Sequence, residues 1–65
     1  MKKENLQIGD NVSFRYDKGI TLHGQVNWIN YFDDGILVLV GNEVNGVSYI
    51  GNFEVPASRV YPTKQ

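Results

Sequence analysis

Cysteine is absent from the 65-residue chain. Its absence excludes disulfides, thiolate metal sites, iron–sulfur clusters and cysteine nucleophiles. Histidine occurs once, at position 23, so a multi-histidine metal site is excluded too. Long hydrophobic runs are missing. The longest, residues 36–40, is far too short to span a bilayer. Met1-Lys2-Lys3 resembles the start of a secretory leader, but Gln7 separates Leu6 from Ile8 and Gly9-Asp10 follows, so no apolar stretch completes it. No charge of one sign dominates. Six Lys and Arg against seven Asp and Glu give a formal net charge of −1, far from the basic footprint of a general nucleic-acid binder. A cytoplasmic protein without a membrane partner is expected.

Helix signals are also scarce. Seven glycines are spread along the chain, and no window of a dozen residues carries an apolar period of 3.6. A chain of this length makes one domain, residues 1–65, with 1–5 and 64–65 expected to fray. It buries only about 60% of the surface its unfolded form exposes, so its core must be used fully.

What is present is the pattern of a small all-β domain. β-branched and aromatic residues abound, and turn residues punctuate them at short intervals. Residues 6–10 lead in and close with a turn. Val12, Phe14 and Tyr16 alternate with Ser13, Arg15 and Asp17, the mark of a half-buried strand. Asp17-Lys18-Gly19 is a tight turn. Residues 20–32 form a long second strand whose apolar parity switches, from Leu22 and Val26 to Ile29 and Tyr31. A bulge near Asn27-Trp28 reconciles the two halves. Gly24 marks a close backbone approach or a bend.

Asp33-Asp34-Gly35 is the second reversal, and residues 36–40 the third strand. Asn45-Gly46 is the strongest local signal, because both residues tolerate the positive φ of a type I′ turn. With a two-residue loop, Val44 faces Val47, Asn42 faces Tyr49, Val40 faces Gly51, Val38 faces Phe53 and Ile36 faces Val55. That face is the core. Pro56-Ala57-Ser58-Arg59 then suits a single 3₁₀ turn before a short last strand at Val60-Tyr61-Pro62-Thr63. The expected core is Val12, Phe14, Leu22, Val26, Ile29, Ile36, Val38, Val40, Tyr49, Phe53, Val55 and Val60.

The opposite face of the third hairpin carries Leu37, Leu39 and Ile50 as a diagonal apolar group where polar residues are ordinary. A two-residue loop at the preceding hairpin adds Phe32, with Trp28 at the margin. A three-residue loop sends Phe32 and Trp28 to the core instead.

Together these segments resemble the SH3-like small barrel. The likeness rests on Ile8-Gly9-Asp10-Asn11-Val12, on Gly24-Gln25-Val26-Asn27-Trp28-Ile29 and on residues 53–62. The first two are similar to the KOW and Tudor-like branches, and the whole resembles small uncharacterised proteins of Gram-positive bacteria and their phages. The resemblance implies an all-β barrel of about five antiparallel strands that binds RNA, protein or modified side chains. Against the peptide-binding SH3 domains, the acidic loop with paired tyrosines and the tandem Trp are missing. Tyr16, Trp28, Pro56 and Tyr61 approximate such a groove only loosely.

The residues bear on three functional classes. Catalysis would have to rest on His23, whose parity points it to solvent, or on Asp33-Asp34, whose setting is that of turn residues. No enzymatic activity, cofactor or metal is expected. Nucleic-acid contact would rest on Lys18 and Arg59, and the net charge disfavours it. Protein contact, with another protein or a second copy, would use Leu37, Leu39, Ile50, Phe32 and Trp28, because exposed apolar patches on small domains mark interfaces. The alternative is that Leu6 and Ile8 fold over the patch and make a second core.

Overall fold

The computed structural model describes residues 2–63. A 3₁₀ turn, η1 (Lys3–Asn5), precedes five strands: β1 (Asn11–Asp17), β2 (Ile20–Ile29), β3 (Gly35–Val44), β4 (Val47–Pro56) and β5 (Val60–Pro62). A second 3₁₀ turn, η2 (Ala57–Arg59), separates β4 from β5. All strand pairs are antiparallel and lie in one sheet of order β4-β3-β2-β1-β5.

The Asn45-Gly46 reversal sets the register of the longest pair. Asn45 has φ 53° and Gly46 φ 80°, as a type I′ turn demands. From it the β3–β4 ladder runs without a shift, Val44 opposite Val47 through Ile36 opposite Val55. The expected pairing is met residue for residue. Side chains alternate along a strand, so this register sends Ile36, Val38 and Val40 inward. All three are buried.

The parity switch in β2 has the expected cause. Val26 pairs with Val38 and Trp28 with Leu37, which leaves Asn27 as an extra residue. The bulge turns Ile29 into the core and throws Trp28 to the outer face. Gly24 lies where β2 crosses β3. A Cβ there would run into the carbonyl of Leu39 and the side chain of Val38.

The loop between β2 and β3 departs from both expectations. Residues 30–34 form it, longer than two or three residues. Phe32 therefore neither faces Leu37 nor enters the core, and its side chain is fully exposed. Local bonds hold the loop: the Phe32 amide donates to Asn30 Oδ1 at 2.9 Å and the Gly35 amide to Asp33 Oδ1 at 2.7 Å. Each satisfies a loop amide that a shorter hairpin would pair across strands.

The core gathers Val12, Phe14, Leu22, Val26, Ile29, Ile36, Val38, Val40, Val55 and Val60, joined by Leu6 and Ala57. Tyr49 and Phe53 face it but remain only partly buried. The reason is visible in the rings: Tyr16 of β1 meets Tyr49 and Phe53 of β4 with centroids 5.4 Å apart in each case. β1 and β4 are not neighbours in the sheet, so the sheet curls until these strands face each other, and the aromatic trio fills the seam. Leu6 drops into the main core, while Ile8 stays exposed. The second core that these two residues would have made does not form. Ser13, buried in β1, shares a 2.8 Å hydrogen bond with the Thr63 hydroxyl, as a buried hydroxyl requires.

Replacing Gly24 by Ala is expected to cost about 3 kcal/mol or more, since backbone must shift to admit the methyl. Gly41→Ala is the control: nothing lies within 4 Å of the added carbon, and its effect should stay within about 1 kcal/mol. Urea denaturation of both variants reads the difference; equal midpoints would contradict the close approach.

Candidate functional site: the outer face of β2, β3 and β4

Three rows of side chains build this face. Trp28 lies opposite Leu37, and Leu37 opposite Glu54. Gln25 lies opposite Leu39, and Leu39 opposite Asn52. Ile50 stands opposite Gly41, diagonal to Leu39. Diagonal neighbours on a sheet lie within reach of long side chains. Trp28 is 48% exposed, Leu39 49% and Ile50 79%. Leu37 is half-buried. Asn27 Nδ2 donates to Asn52 Oδ1 at 3.0 Å, a polar bridge from β2 to β4 over β3. The sheet thus brings Trp28, Leu37, Leu39 and Ile50 to one side. Phe32 is not in these rows; it projects from the 30–34 loop beside Tyr31, which is also exposed.

The cations expected as nucleic-acid contacts are distributed differently. Lys18 sits in the β1–β2 turn, its amide bonded to Asp17 Oδ1 at 2.7 Å. Arg59 ends η2 and lines a groove with Arg15, Phe14, Tyr16, Phe53 and Glu54. Lys18 does not line that groove. Arg15, which the sequence reading left aside, does. Its neighbour across the groove comes from the turn after β4, a proximity that only the β1–β5 pairing creates.

His23 is exposed on β2. Its amide donates to Asn42 Oδ1 at 2.8 Å, and Asn42 Nδ2 lies 3.3 Å from its Nε2. Asn42 thereby continues the β2–β3 pairing beyond Val40. No nucleophile or carboxylate stands among the hydrogen-bond partners of the His23 ring among the described residues.

Asp33 and Asp34 direct their oxygens to the backbone. Asp34 reaches furthest: its carbonyl accepts from the Ala57 amide at 2.7 Å and its Oδ2 from the Ser58 amide at 3.3 Å. The first amides of a 3₁₀ turn lack partners within it. Pro56, at the usual capping position, supplies no side-chain bond. Asp34 therefore caps η2 from a distant loop. Lys3 Nζ donates to the Asp33 carbonyl at 2.8 Å and ties η1 to the same loop.

Comparison with protein-family models, with curated proteins and with solved structures returns no match. No helix among the described residues is long and apolar enough to cross a membrane.

Asp34→Ala should remove the side-chain half of the cap and lower stability by about 1 kcal/mol, the usual worth of such a bond. Asp34→Asn, which keeps an acceptor, should recover most of it. Thermal unfolding of the two variants distinguishes them; equal losses would contradict the capping role.

Proposed function

We propose that the protein is a small cytoplasmic binding module without enzymatic activity, acting through protein–protein contact at the outer face of β2, β3 and β4. The partner surface is another protein or a second copy of the chain. One observation carries the reading: Leu39, Ile50 and Trp28 form an uncovered apolar surface on a domain too small to waste large side chains. Leu6, the residue that could have covered it, lies in the main core instead, and Ile8 is exposed. Burying such side chains against a partner removes apolar area from water, the general driving force of association. Phe32 and Tyr31 extend the reach of this surface from the adjoining loop.

The fold assignment that accompanies this reading is the SH3-like barrel, of the KOW and Tudor-like kind. Its support is the order of the strands, the I′ hairpin between β3 and β4, the 3₁₀ turn before β5 and the ring contacts that join β1 to β4. Such folds host many unrelated functions, so the fold contributes less to the functional reading than the exposed face does.

Leu39→Lys places a charge at the centre of the face while leaving the core untouched. It should abolish capture of the partner or the self-association seen by light scattering, with an unchanged circular dichroism spectrum. Unchanged association would remove the outer face from the account.

A second reading is favoured by the groove between Arg15 and Arg59. Two cations beside Tyr16, an exposed ring, suit a nucleic-acid strand, whose phosphates and bases take cations and aromatic faces respectively. On that reading, oligonucleotide affinity falls steeply with salt, and Arg59→Ala weakens it with a shallower salt slope. Fluorescence titration at two salt concentrations is the check; affinity indifferent to salt and to Arg59 would exclude it.

A further inference from the structure

Among the asparagines of the chain, one alone precedes a glycine: Asn45, in the Asn45-Gly46 reversal. The others precede Leu6, Val12, Trp28, Tyr31, Glu43 and Phe53, whose side chains crowd the backbone nitrogen that follows each asparagine. Glycine has no Cβ to do so. Several of the others are also engaged. Asn27 is bonded to Asn52, Asn30 Oδ1 accepts from the Phe32 amide, and Asn42 is bonded through both its side-chain polar atoms. Asn45 is exposed, and its side chain has no hydrogen-bond partner among the described residues. The Gly46 amide has none there either, since the second central residue of a two-residue reversal lies outside the ladder.

The turn also sits in a part of the molecule that opens without unfolding the rest. Along β3 the last buried residue is Val40, and along β4 the first is Val55. Residues 41–54 are held by ladder pairing and by the partial packing of Val44, Tyr49 and Phe53. A segment with few buried contacts opens at less than the global free energy of unfolding. Opening releases Asn45 from its φ of 53° and lets its side chain swing toward the Gly46 nitrogen.

We propose that Asn45 is a site of spontaneous covalent modification, by cyclisation onto the Gly46 nitrogen, and that one of its two products unfastens the hairpin. Hydroxide takes the Gly46 amide proton, and the nitrogen attacks Asn45 Cγ. A bond forms between them, the bond from Cγ to the side-chain nitrogen breaks, and ammonia leaves with a proton returned by water. Water then opens the five-membered imide. Cleavage between the Gly46 nitrogen and Cγ gives aspartate on the ordinary main chain. Cleavage between that nitrogen and the α-carbonyl carbon gives isoaspartate, whose main chain runs through Cβ and Cγ. In sum, one water enters and one ammonia leaves, and nothing is oxidised or reduced.

The two products differ in backbone. Aspartate suits a I′ turn as asparagine does, so the register survives with one added negative charge. Isoaspartate inserts a methylene between the Cα of position 45 and the next amide. The two-residue closure that sets Val44 opposite Val47 no longer fits, and the ladder frays from that end. The Ile36–Val55 end stays fixed, because both residues are buried in the core. None of this depends on the outer face being a binding site.

The experiment holds the full folded chain in mildly alkaline buffer without denaturant and maps its peptides by mass spectrometry, with enzymatic methylation of isoaspartyl carboxylates as a second readout. Asn45 should convert before any other asparagine, to both aspartate and isoaspartate, and faster as pH rises because the attacking nitrogen must lose its proton. Asn45→Gly, which keeps a residue tolerant of positive φ, should remove most of the methylation signal. A chain synthesised with β-linked aspartate at position 45 is then compared with Asn45→Asp by hydrogen exchange. Its Val47 amide should exchange about tenfold faster or more, the worth of the lost ladder bonds, while the Phe53 amide keeps its protection. An Asn45 that stays intact in the folded chain, or that reacts later than another asparagine, would overturn the proposal. So would equal Val47 protection in the two chains, or an equal loss at Val47 and Phe53.

Discussion

Two positive φ angles in succession, at Asn45 and Gly46, constrain the rest of the molecule. They close a two-residue hairpin whose twist matches that of its strands. Side chains on a strand alternate strictly, so fixing one pair fixes the face of every residue on both strands; a slip of one residue would exchange the two faces entirely. Ile36, Val38 and Val40 then have no option but the core, and Leu37, Leu39 and Ile50 none but the outside. The apolar outer face is a consequence of the same turn that builds the interior.

The bulge at Asn27 extends this logic to β2. Ahead of it, Leu22 and Val26 face inward; beyond it, Ile29 does. The inserted residue keeps the core continuous along a curled strand and turns Trp28 outward beside Leu37. Gly24 performs the complementary task, allowing the β3 backbone to approach where a side chain would collide. The curl brings β1 to β4, and Tyr16, Tyr49 and Phe53 fill the resulting seam. β2 thus owes its shape to one extra residue and one absent side chain.

What could be read from the sequence divides along local and long-range lines. The β3–β4 register and the β2 bulge were legible because each follows from side-chain parity near a strong turn. The loop at residues 30–34 was not, since Asp33-Asp34-Gly35 reads equally well as a short hairpin. Its actual length depends on Asn30 and Asp33 bonding within the loop and on Asp34 bonding to η2. That last role spans the chain from one loop to another, and no spacing announces it. The sequence leaves open whether Leu6 and Ile8 cover the outer face; Leu6 instead lies in the main core and Ile8 is exposed. The burial of Leu6 depends on where the curled sheet leaves an opening. The incomplete burial of Tyr49 and Phe53 has the same origin, because they line the seam rather than the centre. The pairing of Arg15 with Arg59 along one groove was equally hidden, since only the β1–β5 ladder brings them together.

The account stands on Leu39 and Ile50 projecting to solvent in the isolated chain, and their methyl groups report this directly. Addition of a soluble paramagnetic agent to a dilute, monomeric sample should broaden the Leu39 and Ile50 methyl resonances strongly and spare those of Val38 and Val40. Protected Leu39 and Ile50 methyls, or exposed Val38 and Val40, would contradict the assignment of faces on which the proposed contact depends.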